Sequence, residues 1–245
     1  MDDGDFYLTA PSNASLDVFP DNTLTSFKIR TVKPIDLAKY QVALTEIQYP
    51  YSWFNVRNAS MQIKFPSSAV RDMEIADGKY ESIEELVSTI QKSLQSAARV
   101  SDAITISWDK RKMKTIVNIR LDGYQLTFSP QLQRILGFKV PLLIKGLTIS
   151  EYHTDINEGM TAIYIYSNIV RNQLVGDAMV PLLRVVPIRG TSDDVIRSEE
   201  FQHPRYLNTN KETTSVLEFY LRRDNGERVL FVFGKVILTL HFRRV

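Results

Sequence analysis

Between Val236 and Arg243 the chain alternates: Val236, Leu238, Leu240 and Phe242 take one side of an extended backbone, Thr239, His241 and Arg243 the other. Strand side chains point to opposite faces with period two, so such a segment belongs in a sheet with one face on a core and one toward water. Short runs of similar character recur at Phe6–Ala10, Leu24–Val32, Tyr40–Tyr51, Met61–Phe65, Ala162–Val170, Leu182–Ile188 and Val216–Arg223. Turn residues separate them. Tyr40–Tyr51 changes phase, because Val42 and Leu44 share one parity while Ile47, Tyr49 and Tyr51 share the other. A bulge or bend near Glu46 would keep both halves facing the core. Asp224-Asn225-Gly226 and Phe233-Gly234-Lys235 supply turns between the last strands and predict a C-terminal meander.

The middle follows another period. Ser82-Ile83-Glu84-Glu85 has the form of a capping box, and Ile83, Leu86, Val87, Ile90, Leu94 and Ala97 repeat at helical spacing, predicting a helix from about Ser82 to Ala98. Ile104–Trp108 and Met113–Ile119 alternate across a charged turn, and Asp122-Gly123 leads into Tyr124–Phe128. Ser129-Pro130 opens a short helix that Gly137 ends. The expectation is a mainly β chain: a single jelly-roll β-sandwich built from 1–66 and 147–245, with 77–138 as a small helix–three strands–helix (α+β) insertion.

Composition narrows the chemistry. There are no cysteines among the 245 residues, which removes disulfides, thiol nucleophiles and thiolate metal sites. The three histidines, His153, His203 and His241, share no metal-ligand spacing. No GxSxG, Walker or GxGxxG pattern occurs, so no catalytic, metal or cofactor residue is assigned and no small-molecule substrate is expected. The adjacent acids Glu84-Glu85, Asp193-Asp194 and Glu199-Glu200 read as solvated surface, since sequence neighbours point apart. Net charge is +2, and the basic clusters Lys110-Arg111-Lys112, Arg222-Arg223 and Arg243-Arg244 are short, which argues against nucleic-acid contact. No apolar run reaches the roughly 20 residues of a membrane span. The acidic start, Met1-Asp2-Asp3-Gly4-Asp5, is unlike a secretory leader, so the expected place of synthesis is a cell interior, cytoplasm or nucleus. On the same grounds the sequons at Asn13 and Asn58 read as chance.

Two segments stand out from this soluble pattern. Ala162-Ile163-Tyr164-Ile165-Tyr166 and Pro181-Leu182-Leu183-Arg184-Val185-Val186-Pro187 are apolar or aromatic at both parities. A second apolar face requires cover, from the insertion or from another subunit. Tyr164, Tyr166, Leu182, Leu183, Arg184 and Val185, with the aromatic pair Trp53 and Phe54, are therefore the candidate subunit-interface residues.

A set of ordered blocks resembles the penton (minor capsid) proteins of Polinton, or Maverick, virus-like elements. They are Phe6-Tyr7-Leu8-Thr9-Ala10-Pro11-Ser12-Asn13-Ala14-Ser15, Phe19-Pro20-Asp21-Asn22-Thr23, Val42-Ala43-Leu44-Thr45-Glu46-Ile47-Gln48-Tyr49-Pro50 with Trp53 just beyond, and Ile135-Leu136-Gly137-Phe138. They continue through Ile163–Val170, Val175-Gly176-Asp177 and Pro181–Pro187 to Gly234-Lys235-Val236 and Leu238–Arg244. Ser167-Asn168 stands where that family commonly has Cys-Asp. The resemblance implies a non-enzymatic virion protein forming homopentamers at icosahedral fivefold vertices, beside a double jelly-roll major capsid protein. The alternative reading is a domesticated jelly-roll module binding a ligand or carbohydrate, which a solvent-facing aromatic cluster on the insertion would favour.

Overall fold

The computed structural model describes residues 4–96, 103–188, 195–210 and 212–245. Asp193-Asp194 and the predicted end of the first helix at Ala97-Ala98 lie outside them. The chain divides into two compact units, one from residues 1–53 and 160–245, the other from 54–159.

In chain order the first unit opens with β1 (Phe6–Pro11), β2 (Ser26–Asp36) and β3 (Tyr40–Pro50). The second unit contributes β4 (Ala59–Lys64), β5 (Val70–Ile75), α1 (Ile83–Ser96), β6 (Ile104–Asp109), β7 (Lys114–Ile119), β8 (Gln125–Phe128), α2 (Pro130–Ile135) and β9 (Leu147–Ile149). The chain then returns through β10 (Ala162–Ser167), β11 (Gln173–Val175), β12 (Ala178–Val180), β13 (Leu182–Pro187), β14 (Ile196–Glu200), β15 (Leu207–Asn208), β16 (Thr213–Arg222) and β17 (Ile237–Arg244).

Eight of the first unit's strands form two four-stranded antiparallel paths, β1-β17-β3-β14 and β13-β10-β16-β2, with β15 added to β3. The pairings nest: β1 with β17, β2 with β16, β3 with β14, β10 with β13. First meets last and fourth meets fifth, as in a long hairpin rolled up, which is the jelly-roll topology. β16 and β17 lie in different sheets, so the last strands do not form the expected meander. After Arg222 the chain leaves one sheet, bridges Trp53 at Phe231, and enters the other. Turn signals mark where a chain reverses but not which sheet it joins.

One core fills the sandwich. Val236, Leu238, Leu240 and Phe242 are fully buried, as alternation requires, and meet Phe27, Ile29, Ile163, Ile165, Leu217, Phe219 and Leu221 from the other sheet. The phase change in β3 is a bulge: Glu46 pairs with Thr239 and Leu44 with Leu240, leaving Thr45 as the extra residue. Val42, Leu44, Ile47 and Tyr49 thereby all point inward.

The second unit has its own core. Ile83, Leu86, Val87, Ile90 and Leu94 of α1 bury against β6 and other members of this cluster, including Val117, Leu126 and Phe128. Ser82 Oγ accepts from the Glu85 N–H at 3.2 Å. The Glu85 carboxylate turns back to the Glu81 N–H at 2.7 Å, one residue before the cap. At the end of α2, Phe138 N–H reaches Gln133 O and Gly137 N–H reaches Arg134 O, with Gly137 at φ 79°. A glycine in the left-handed region closes the helix by a Schellman motif. β4 pairs with β5 and β8, and β9 with β7, so Ala59–Lys64 and Leu147–Ile149 belong with the middle of the chain rather than with the outer segments 1–66 and 147–245. Strand alternation is the same in either unit and carries no label for its sheet.

Candidate functional site

In β10, Ile163 and Ile165 point into the sandwich and Tyr164 and Tyr166 away from it, half-buried. Their neighbours on the outer face follow from the register. Tyr166 lies opposite Tyr220 of β16 and Leu182 of β13. Tyr164 lies opposite Arg222 and Val185. Tyr164, Tyr166, Leu182 and Val185 therefore share one outer surface, and Tyr220 and Arg222 join them.

The other candidates sit elsewhere. A bulge places Leu183 as the extra residue between Leu182, opposite Tyr166, and Arg184, opposite Ile165. Leu183 is 2% exposed and belongs to the core, whereas Val185 is 37% exposed. The Arg184 guanidinium lies 3.7 Å from the centre of the Phe201 ring, and its Nη1 is buried with no hydrogen-bond partner among the described residues. Burial and the Arg205 guanidinium lower its pKa, and Glu199 opposes them. Trp53 is a core residue, packed on Tyr51 and Phe231 with ring centres 4.4 and 5.9 Å away. Phe54 lies in the second unit, where the Arg57 guanidinium sits 5.6 Å from its ring. Sequence adjacency thus hides a division: Trp53 and Phe54 fall on two sides of a unit boundary.

Tyr220 was absent from the sequence candidates, although Val216, Glu218, Tyr220 and Arg222 occupy the parity opposite the buried Leu217, Phe219 and Leu221. That alternation held the signal. Tyr220 Oη donates to Glu218 Oε2 at 2.6 Å, and Lys28 Nζ lies 2.9 Å from Glu218 Oε1. Burial alone would raise the Glu218 carboxyl, but the hydrogen bonds from Tyr220 and Lys28 bring it below the usual carboxylate value. The hydrogen bond to Glu218, aided by burial, pushes the Tyr220 phenol up, and burial, aided by Tyr164, does the same for Tyr166. Tyr166 and Tyr220 therefore stay neutral at physiological pH, and the face has aromatic area with polar tips.

Catalytic features are not gathered here. Among the described residues no three His, Asp or Glu side chains are placed to hold a metal. His153 and His203 are exposed, and His241 Nδ1 lies 2.7 Å from Tyr206 Oη. No helix among the described residues is long and apolar enough to cross a membrane.

No protein-family model matches the chain. No curated protein matches it either. Among solved structures, it is similar to the mavirus penton protein, crystallised in selenomethionine-labelled form, with 14% identity and a TM-score of 0.49. That match covers 98% of this chain and all of the other.

Proposed function

We propose that this chain is a structural capsid protein that assembles as a homopentamer, the penton capsomer at icosahedral fivefold vertices, alongside a double jelly-roll major capsid protein. Its place is the virion capsid after synthesis inside a host cell, and it acts by assembly rather than by turnover of a substrate. The ordered sequence blocks resembling Polinton penton proteins point to this class, and the nested jelly-roll topology suits it. The observation that carries the assembly reading is the outer face of Tyr164, Tyr166, Tyr220, Leu182 and Val185. Tyrosine and arginine are enriched where proteins meet, and this face sets three tyrosines and Arg222 beside Leu182 and Val185.

The test is mass in solution. Light scattering of the purified chain should give about 140 kDa, five times the 28.1 kDa of one chain. Tyr166→Asp, whose circular dichroism should match the parent, should yield the single-chain mass. A parent protein that remains a 28.1 kDa monomer at high concentration overturns the proposal.

A further inference from the structure

A closed fivefold ring cannot use one patch twice. Each subunit must present two different surfaces, one meeting the other on the next copy. The tyrosine face supplies one. Resting on the pentamer reading above, we infer that the second is the outer face of the opposite sheet, around Tyr7, Thr9, Thr239 and His241, and that the occupant of each face is a second copy of this chain joined head to tail.

Side chains on that face are held by ring stacking and hydrogen bonds. Tyr7, 67% exposed, stacks on the His241 ring with centres 4.4 Å apart. His241 Nδ1 meets Tyr206 Oη at 2.7 Å, and the Arg243 guanidinium lies 3.8 Å from the centre of the Tyr206 ring. Arg243 Nη2 donates to Gln41 Oε1 at 2.6 Å, and Gln41 Nε2 donates to Asn208 Oδ1 at 3.1 Å. Freely solvated side chains lose rotamer entropy when held like this. A fixed aromatic–arginine platform suits a surface prepared to receive another, because less ordering remains to be done on contact.

Charge points the same way. The tyrosine face turns outward Lys28, Arg30 and Arg222 against Glu218, an excess of positive charge. The opposite face turns outward Asp5, Glu46 and Glu200 against Arg243, with Lys235 beside Gln48, Ile196 and Ile237 at one end, an excess of a single negative charge. Two copies stacked tyrosine face to opposite face bring unlike charges together, whereas either face against itself brings like charges together. Complementary fields of this sort choose partner and register more than they set affinity.

The absence of cysteine permits a direct experiment. Thr9→Cys marks the opposite face and Val185→Cys the tyrosine face. With a short bismaleimide, the double variant should give a covalent ladder ending at five chains, and neither single variant should give one. Tyr7→Asp should reduce the pentamer at least tenfold at fixed concentration with the circular dichroism unchanged. Dimers from a single-cysteine variant, or a Tyr7→Asp protein that remains pentameric, overturn this assignment of the second face. If the parent is pentameric and only Tyr166→Asp dissociates it, the penton reading stands and the second face is wrong. A parent that never leaves the monomer overturns both.

Discussion

Leu183 and Val185 are two residues apart in one edge strand, and truncating them should have opposite outcomes. Leu183 is 2% exposed and packs in the sandwich core. Leu183→Ala removes buried methyl and methylene groups and leaves a cavity, which costs about 2–5 kcal/mol in a well-packed site. At roughly 2–4 °C per kcal/mol for a unit of this size, the melting temperature should fall by about 4–20 °C. Val185 is 37% exposed and points outward, so Val185→Ala should change stability by less than about 1 kcal/mol. Aspartate sharpens the contrast. At 183 an unpaired carboxylate in the core costs several kcal/mol, a large share of a total stability of about 5–15 kcal/mol. At 185 the charge remains solvated in the single chain and, in the pentamer proposed above, would act only on association. Thermal melts by far-ultraviolet circular dichroism decide the matter. A Leu183→Ala melt within a degree or two of the parent, or a Val185→Ala melt that drops further than it, refutes the inward and outward assignment and the bulge that produces it.

Further outcomes follow from local geometry. Ser82→Ala should destabilise the 54–159 unit by about 1 kcal/mol in denaturant titration, because it removes the oxygen that accepts the Glu85 N–H. Gly137→Ala should cost more than about 1–2 kcal/mol by the same assay, since φ is +79° and the added Cβ would press on the Tyr152 carbonyl oxygen. Burial raises the Tyr49 phenol from the ordinary 10.0 to about 12. The unfolded chain therefore loses this proton first: the stability tied to it is complete below about pH 10 and lost as the pH rises through about 12. An absorbance titration of the native protein should show Tyr49 ionising last, and a single wave with every tyrosine near 10 would refute its burial.

The sandwich was largely legible because period-two alternation is a local consequence of strand geometry. The C-terminal segment shows this best: Val236, just before β17, and Leu238, Leu240 and Phe242 within it are all fully buried. The β3 phase change was legible too, since only an extra residue reconciles Leu44 with Ile47 on one face. Other things were not local. Strand β4 alternates as an outer strand would, yet its partners are Val70–Ile75 and Gln125–Phe128. β16 and β17 follow one another but belong to separate sheets. At the candidate face, a stretch apolar at both parities could not reveal which parity is inside. The bulge at Leu183 settles it, and nothing in Leu182-Leu183-Arg184 distinguishes the bulged residue from its neighbours. Tyr220 escaped notice for the converse reason, because its strand alternates normally and a lone outward tyrosine attracts no attention until Tyr166 is set beside it.

The same details bear on how copies of this chain can meet. A sheet's free edges are the usual hazard for uncontrolled association, and proteins blunt them with proline, charge and bulges. All four edges of these sheet paths carry such features. β13 has Pro181 just before it, Arg184 and the bulge within it, and Pro187 at its end. β2 carries Lys33 and Pro34 in an irregular stretch between the Arg30 and Ile35 pairings. β1 ends on Pro11, and β14 reads Ile196-Arg197-Ser198-Glu199-Glu200, three charges in five residues. Backbone pairing between copies is therefore disfavoured at these four edge strands, while the two outer faces keep their aromatic groups, one around Tyr164, Tyr166 and Tyr220, the other around Tyr7 and His241. Edge-to-edge addition propagates without limit, whereas face-to-face contact between two different surfaces closes when the rotation between neighbours divides a full turn. For the ring proposed above, blunted edges and aromatic outer faces are the combination that a finite assembly requires.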